Sequence, residues 1–197
     1  MVTRHSTDIA QGIYESHCAC LQKGIAHQAR RFLVFEDDVF FSLSRCSASI
    51  MRDIGRFVTT EPHWNILFLG CMVKKSWPSH YPSIRGVAFQ TLAHAYAINS
   101  AFAARILREY FWSGQPYDDF LRDLPQDGFY TVYPAIAFQS DASSDNKPYL
   151  LLDAARRALG GLARLQKMNE FFHCHRRLIL ALHALVILLV AALIFWC

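Results

Sequence analysis

Three consecutive carboxylates, Glu36, Asp37 and Asp38, follow directly on the apolar run Arg31-Phe32-Leu33-Val34-Phe35. Like charges crowded at the end of a strand repel, so a compensating group is expected beside them. Hard divalent cations such as Mg2+ or Mn2+ take carboxylate oxygens and pair readily with diphosphates. Alternate residues of an extended segment share a face. Glu36 and Asp38 are therefore the candidate metal ligands, and Asp37 points away from them. A solvated acidic turn is the competing reading. His17-Cys18-x-Cys20 and His173-Cys174-His175 each offer the start of a zinc site, but neither has a matched second pair, and on a helix Cys18 and Cys20 fall on different faces. His80 reads as a solvated loop residue. No glycine-rich phosphate loop, G-x-S-x-G elbow or H-E-x-x-H pattern is present.

The elements that would position these acids follow from periodicity and punctuation. Ser6-Thr7-Asp8 offers N-cap chemistry for a helix running to about His27. Residues 31–35 read as a buried strand delivering the acids at its carboxyl end, where open α/β sheets form their sites. Apolar positions at 43, 46, 50, 54 and 58 have helical spacing, and Asn65 to Leu69 is a second buried strand closed by Gly70. Residues 71–90, with Pro78, Pro82 and Gly86, read as loop. His94 to Ile98 is a third strand, followed by a helix from about Ser100 to Phe111, a short helix at Tyr117 to Asp123, and a β-rich stretch from Phe129 to Phe138. Residues 139–147 are polar loop. Strands alternating with helices predict an α/β domain with a largely parallel sheet.

The chain has 197 residues, 53% apolar and 18% charged, which excludes a largely disordered chain. Its 6 Cys are irregularly spaced and read as reduced, buried thiols rather than a disulfide framework. Residues 1–150 balance 14 basic against 14 acidic side chains, and the net charge of +4 arises wholly within 151–177. No basic stripe interleaved with aromatics crosses the body, so a nucleic-acid partner is not expected. Leu178 to Cys197 contains no Asp, Glu, Lys or Arg. About 20 apolar residues match a hydrocarbon core of about 30 Å. Arg176 and Arg177 abut this span, with Trp196 as an interfacial anchor at its far end. The positive-inside rule then places the main domain on the cytoplasmic side of a single-pass, C-terminally anchored protein. No N-terminal signal peptide is expected. Three parts result: a domain over 1–148, a basic helical linker over 149–177 weakened at Gly160-Gly161, and a transmembrane anchor over 178–197.

The run LVFEDDV resembles the acidic motif of glycosyltransferase family 25, the family of bacterial lipooligosaccharide and procollagen galactosyltransferases. Other segments resemble that family in the same order: Gly12 to His17, Trp64 to Gly70, His94 to Ile98 with Ala103 to Leu107, Tyr117 to Leu121, and Tyr133-Pro134 with Gln139 and Ser144-Asp145. The likeness spans roughly residues 10–146. It implies a GT-A-like, Rossmann-type domain, here partial, that moves a hexose such as galactose from a nucleoside diphosphate sugar to a glycan, lipid-linked or protein acceptor. It implies Mn2+ or Mg2+ at Glu36 and Asp38, with Asp37 and His17 as further residues contacting the bound cofactor. It makes Asp118 or Asp119 the general base; capping or surface charge is the alternative role for either. Only about a dozen residues precede the Ser-His segment, where the family carries a nucleotide-binding strand and helix. The grip on nucleobase and ribose is therefore expected to be missing, and a catalytically degenerate, membrane-tethered binding or scaffold module is the alternative function.

Overall fold

The computed structural model describes residues 8–140 and 158–196. Expectations placed on Ser6, Thr7, residues 141–157, the Trp196 side chain and Cys197 lie outside the described residues. The first helix, α1 (Ile9–Ala26), starts where Asp8 accepts from the backbone N–H groups of Ala10 and Gln11. It leads into β1 (Arg31–Phe35), the acidic turn, β2 (Val39–Phe41), a 3-10 turn at Leu43–Arg45, and α2 (Ala48–Thr60) capped by Ser47. Then come β3 (Ile66–Phe68), β4 (Met72–Pro78), β5 (Ile84–Thr91), β6 (Ala95–Asn99), α3 (Ser100–Glu109), α4 (Tyr117–Asp123), β7 (Phe129–Val132), β8 (Ala137–Gln139) and α5 (Leu162–Trp196).

The α/β class holds, but the largely parallel, Rossmann-type sheet does not. Six strands lie in the order β1-β6-β3-β7-β5-β4, and only β3 and β7 run parallel. Two features account for this: β6 runs opposite to both β1 and β3, and the segment expected to be loop is itself strand. Residues 72–91 form the β4–β5 hairpin, and a hairpin is antiparallel by construction. Its prolines sit at the end of β4 and in the connection, and β4 is an edge strand whose Lys74, Lys75 and Trp77 are exposed. Polar residues and proline are tolerated on edges, so the stretch carries little apolar signal. A second correction concerns β1. It too is an edge strand, and only Val34 is buried, while Leu33 and Phe35 are 55% and 46% exposed.

Alternation along β3 splits the core into two layers. Ile66 and Phe68 face α1, α3 and α4, joining Leu21, Phe102, Ile106 and Phe120; Leu67 and Leu69 face α2, joining Ile50 and Phe57. Full burial of Leu21 or Phe57 contributes about 1.5–3 kcal/mol each relative to exposure. The smaller β2–β8 pair carries the chain from the acidic turn alongside α5. No Gly or Pro interrupts α5, so it runs as one helix through the boundary at 177.

Candidate functional site

The three acids sit on a tight turn, not on an extended segment. The Val39 N–H donates to the Glu36 carbonyl at 3.4 Å, and the Glu36 N–H donates to the His94 carbonyl at 2.9 Å. The alternation that paired Glu36 with Asp38 therefore does not operate here. Asp37 is exposed, whereas Glu36 and Asp38 are half-buried. Asp38 is fixed to β8: Gln139 donates to its Oδ2 at 2.8 Å, and the Ser140 N–H donates to its carbonyl at 3.0 Å. Its Oδ1 is buried and, among the described residues, accepts no hydrogen bond. Burial pushes the Asp38 carboxyl above its usual range, and the charges of Glu36 and Asp37 add to that, while Gln139 and His94 oppose it.

Glu36 is tied to α1. His17, 5% exposed, places Nε2 at 3.3 Å from Glu36 Oε1 and Nδ1 at 3.0 Å from the Tyr96 hydroxyl, which in turn lies 3.0 Å from the Tyr117 hydroxyl. The Nε2–H tautomer satisfies the whole chain: the ring donates to Glu36, Tyr96 donates to Nδ1, and Tyr117 donates to Tyr96. The His17 ring stacks on Tyr117 with centroids 3.8 Å apart. Burial holds both tyrosine hydroxyls well above their usual range, so they act as hydrogen-bond donors and not as anions.

The residue that sequence reasoning missed is His94. It is fully buried, and among the described residues neither ring nitrogen finds a hydrogen-bond partner of ordinary geometry, although the Ala137 backbone favours its protonated form. Burial lowers its pKa; Glu36, Asp118 and Asp38 pull the other way. A histidine inside the apolar run Leu92 to Ile98 was the available signal, since a buried imidazole needs a partner. Asp118, at the start of α4, has a different environment. Its Oδ2 accepts from the Thr91 hydroxyl at 2.5 Å and the Leu92 N–H at 2.8 Å, and its Oδ1 from the Ala93 N–H at 3.0 Å. It thereby holds Leu92 in a left-handed conformation, φ 73°, which a branched side chain rarely adopts. Asp119 is partly exposed and paired with Arg122 at 2.7 Å.

Among the described residues, no three His, Cys, Asp or Glu side chains converge as a ready-made metal site, at the acidic turn or at either histidine–cysteine motif. A cation at the turn would rest on one or two protein carboxylates and draw its other oxygens from water or a diphosphate, the usual mode for Mg2+. The orphaned Asp38 oxygen fits that role. A hollow of about 280 Å³ lies at the opposite end of β3 and β6 beside His63, Asn65, Asn99 and Asp127, and does not include the acidic turn. In comparisons with known proteins, no family model matches the chain, and no curated protein matches it either.

Proposed function

We propose that the chain is a membrane-anchored, metal-dependent glycosyltransferase of the family 25 type, moving a hexose from a nucleoside diphosphate sugar to a glycan acceptor. The observation that carries this reading is the buried, unsatisfied Oδ1 of Asp38 within an acidic turn at a strand end. An uncompensated carboxylate oxygen is costly to bury, and a divalent cation is the partner that restores balance among three adjacent acids. Asp38, with Glu36 beside it, would hold Mn2+ or Mg2+. Such a cation neutralises the departing nucleoside diphosphate as the glycosidic bond breaks. His17 orients Glu36, and Gln139 fixes the rotamer of Asp38, so the two acids need little reorganisation to receive it. Of the proposed base residues, Asp118 is engaged on three donors, so the role falls to Asp119, which would have to leave its ion pair with Arg122 to take a proton from an acceptor hydroxyl.

The α5 helix is long and apolar enough to cross a membrane, and its apolar stretch is not buried against the domain. The reading makes it a single span with the domain on the cytoplasmic side, confining enzyme and acceptor to one surface. The engagement of Asp118 favours a second reading, a degenerate binding or scaffold module that keeps the fold and the cation site without transfer. Calorimetry on the full chain in detergent separates the two. Mn2+-dependent binding of UDP-galactose followed by transfer to an acceptor supports the enzyme. Cation binding with no nucleotide-sugar binding supports the module, and the absence of both defeats the cation site.

A further inference from the structure

The first half of α5 is keyed into the domain mainly through backbone groups. Gln166 donates to the Ala137 carbonyl at 3.0 Å, and Glu170 accepts from the Ala135 N–H at 3.3 Å. Cys174 lies beside Tyr133, close enough that each perturbs the other's titration. Asn169 satisfies both backbone groups of Val73 on the edge of β4, at 2.9 and 3.0 Å. The partners 137, 135 and 133 match 166, 170 and 174, so two residues of chain pass four of helix in the opposite direction. Two extended residues cover about 6.6 Å and four helical residues about 6 Å. One further step places Gln139, and Asp38 bonded to it, level with residue 162. From there to Leu178 the helix rises about 24 Å.

At its other end, the helix leaves the domain beside Ser76, Arg85 and Tyr133, which line a small hollow with His173 and Cys174. This rim is basic and aromatic. Lys74, Lys75 and Trp77 are exposed, the Arg85 guanidinium lies 5.9 Å over the Tyr133 ring, and residues 72–91 contain no Asp or Glu. Exposed Arg176 and Arg177 continue it to the start of the apolar stretch.

We infer that this rim docks on anionic lipid headgroups and that α5 is a rigid mount holding the acidic turn about 24 Å from the hydrocarbon edge. The inference rests on reading α5 as a span. The bilayer is the occupant because the rim is continuous with the apolar helix, carries uncompensated positive charge, and presents the Trp and Tyr side chains that favour the interface. A headgroup layer of roughly 5–7 Å per side leaves the turn well clear of it. An acceptor hydroxyl must then be carried outward on an extended, lipid-linked glycan.

Hydrogen exchange on the full chain in nanodiscs tests the mount. Amides of 74–86 should exchange several-fold more slowly in discs containing phosphatidylglycerol than in phosphatidylcholine alone, with 31–41 unchanged. Trp77→Ser combined with K74S and K75S should remove that difference. A Gly-Ser-Gly-Ser insertion between His175 and Arg176 should also remove it while the chain stays in the disc. Protection at 31–41 instead, or no dependence on anionic lipid, overturns the inference, as does a chain that does not remain with the discs. Donor calorimetry in detergent is independent of all these outcomes, so a failed transferase reading shows there alone.

Discussion

Asp38 and Asp118 are both half-buried carboxylates at the same end of the sheet, and they are used in opposite ways. Asp118 accepts three hydrogen bonds and shapes the backbone from Thr91 to Ala93. Asp38 accepts one from Gln139 and leaves a buried oxygen without a partner among the described residues. A satisfied carboxylate stabilises the fold, while an orphaned one beside two other acids raises the energy of the protein until something positive arrives. The contrast separates a residue that builds the fold from the one proposed to bind a cation.

The sharpest way to break this contrast is Asp118→Ala. It leaves two backbone N–H groups and a hydroxyl unpaired under a left-handed leucine, and should cost about 3–5 kcal/mol of stability in denaturant unfolding. A loss below about 1 kcal/mol would erase the distinction. Asp38→Asn should leave stability near or above that of the parent. Its effect should fall on Mn2+ affinity, which drops by at least about tenfold in calorimetry. Retained Mn2+ affinity would sink the metal assignment. His17→Phe keeps the stack on Tyr117 but frees Glu36 and the Tyr96 hydroxyl, and should cost about 1–2 kcal/mol with a smaller loss of cation affinity.

The smallest effect is the pH dependence. The folded-state pKa of Asp38 lies above its unfolded value, so the folded state holds the proton more tightly. Stability is therefore lost as pH rises from the ordinary carboxylate range through the raised folded value, and the penalty persists above it. Metal-free protein should show this falling slope in urea unfolding, and the Asp38→Asn variant should show it less. Saturating Mn2+ should also flatten it, because the cation takes over from the proton. An equal slope in parent and variant would assign it to other groups, such as Glu170, whose carboxyl is also raised by burial.

Much of the chain was legible from local pattern. The helix capped by Asp8, the buried strand at Ile66–Phe68, the helix after Asn99 and the short helix at Tyr117 all carry their signals in adjacent residues. So does the uncharged stretch after Arg177, since hydropathy is a sum over composition. The acids at the end of β1 were equally plain. What the sequence could not give was direction. Strand polarity depends on which strands become neighbours, and the β4–β5 hairpin is built from residues whose edge position removes the apolar pattern that announces a strand. Together with β6 running opposite to β1 and β3, it makes a sheet expected to be parallel mostly antiparallel.

The site divides in the same way. Residue type and the apolar run before them proposed Glu36 and Asp38, because carboxylate charge is intrinsic to the side chain, while Asp37 and His17 entered only through the resemblance. Which of the acids is satisfied and which is orphaned is a property of partners far away in sequence: Gln139 for Asp38, Thr91 to Ala93 for Asp118, and the sheet around His94. Hydrogen bonding and desolvation act over a few ångströms of space, not along the chain. The tertiary structure alone therefore decided that Asp118 is engaged in the fold and Asp38 keeps an unsatisfied oxygen.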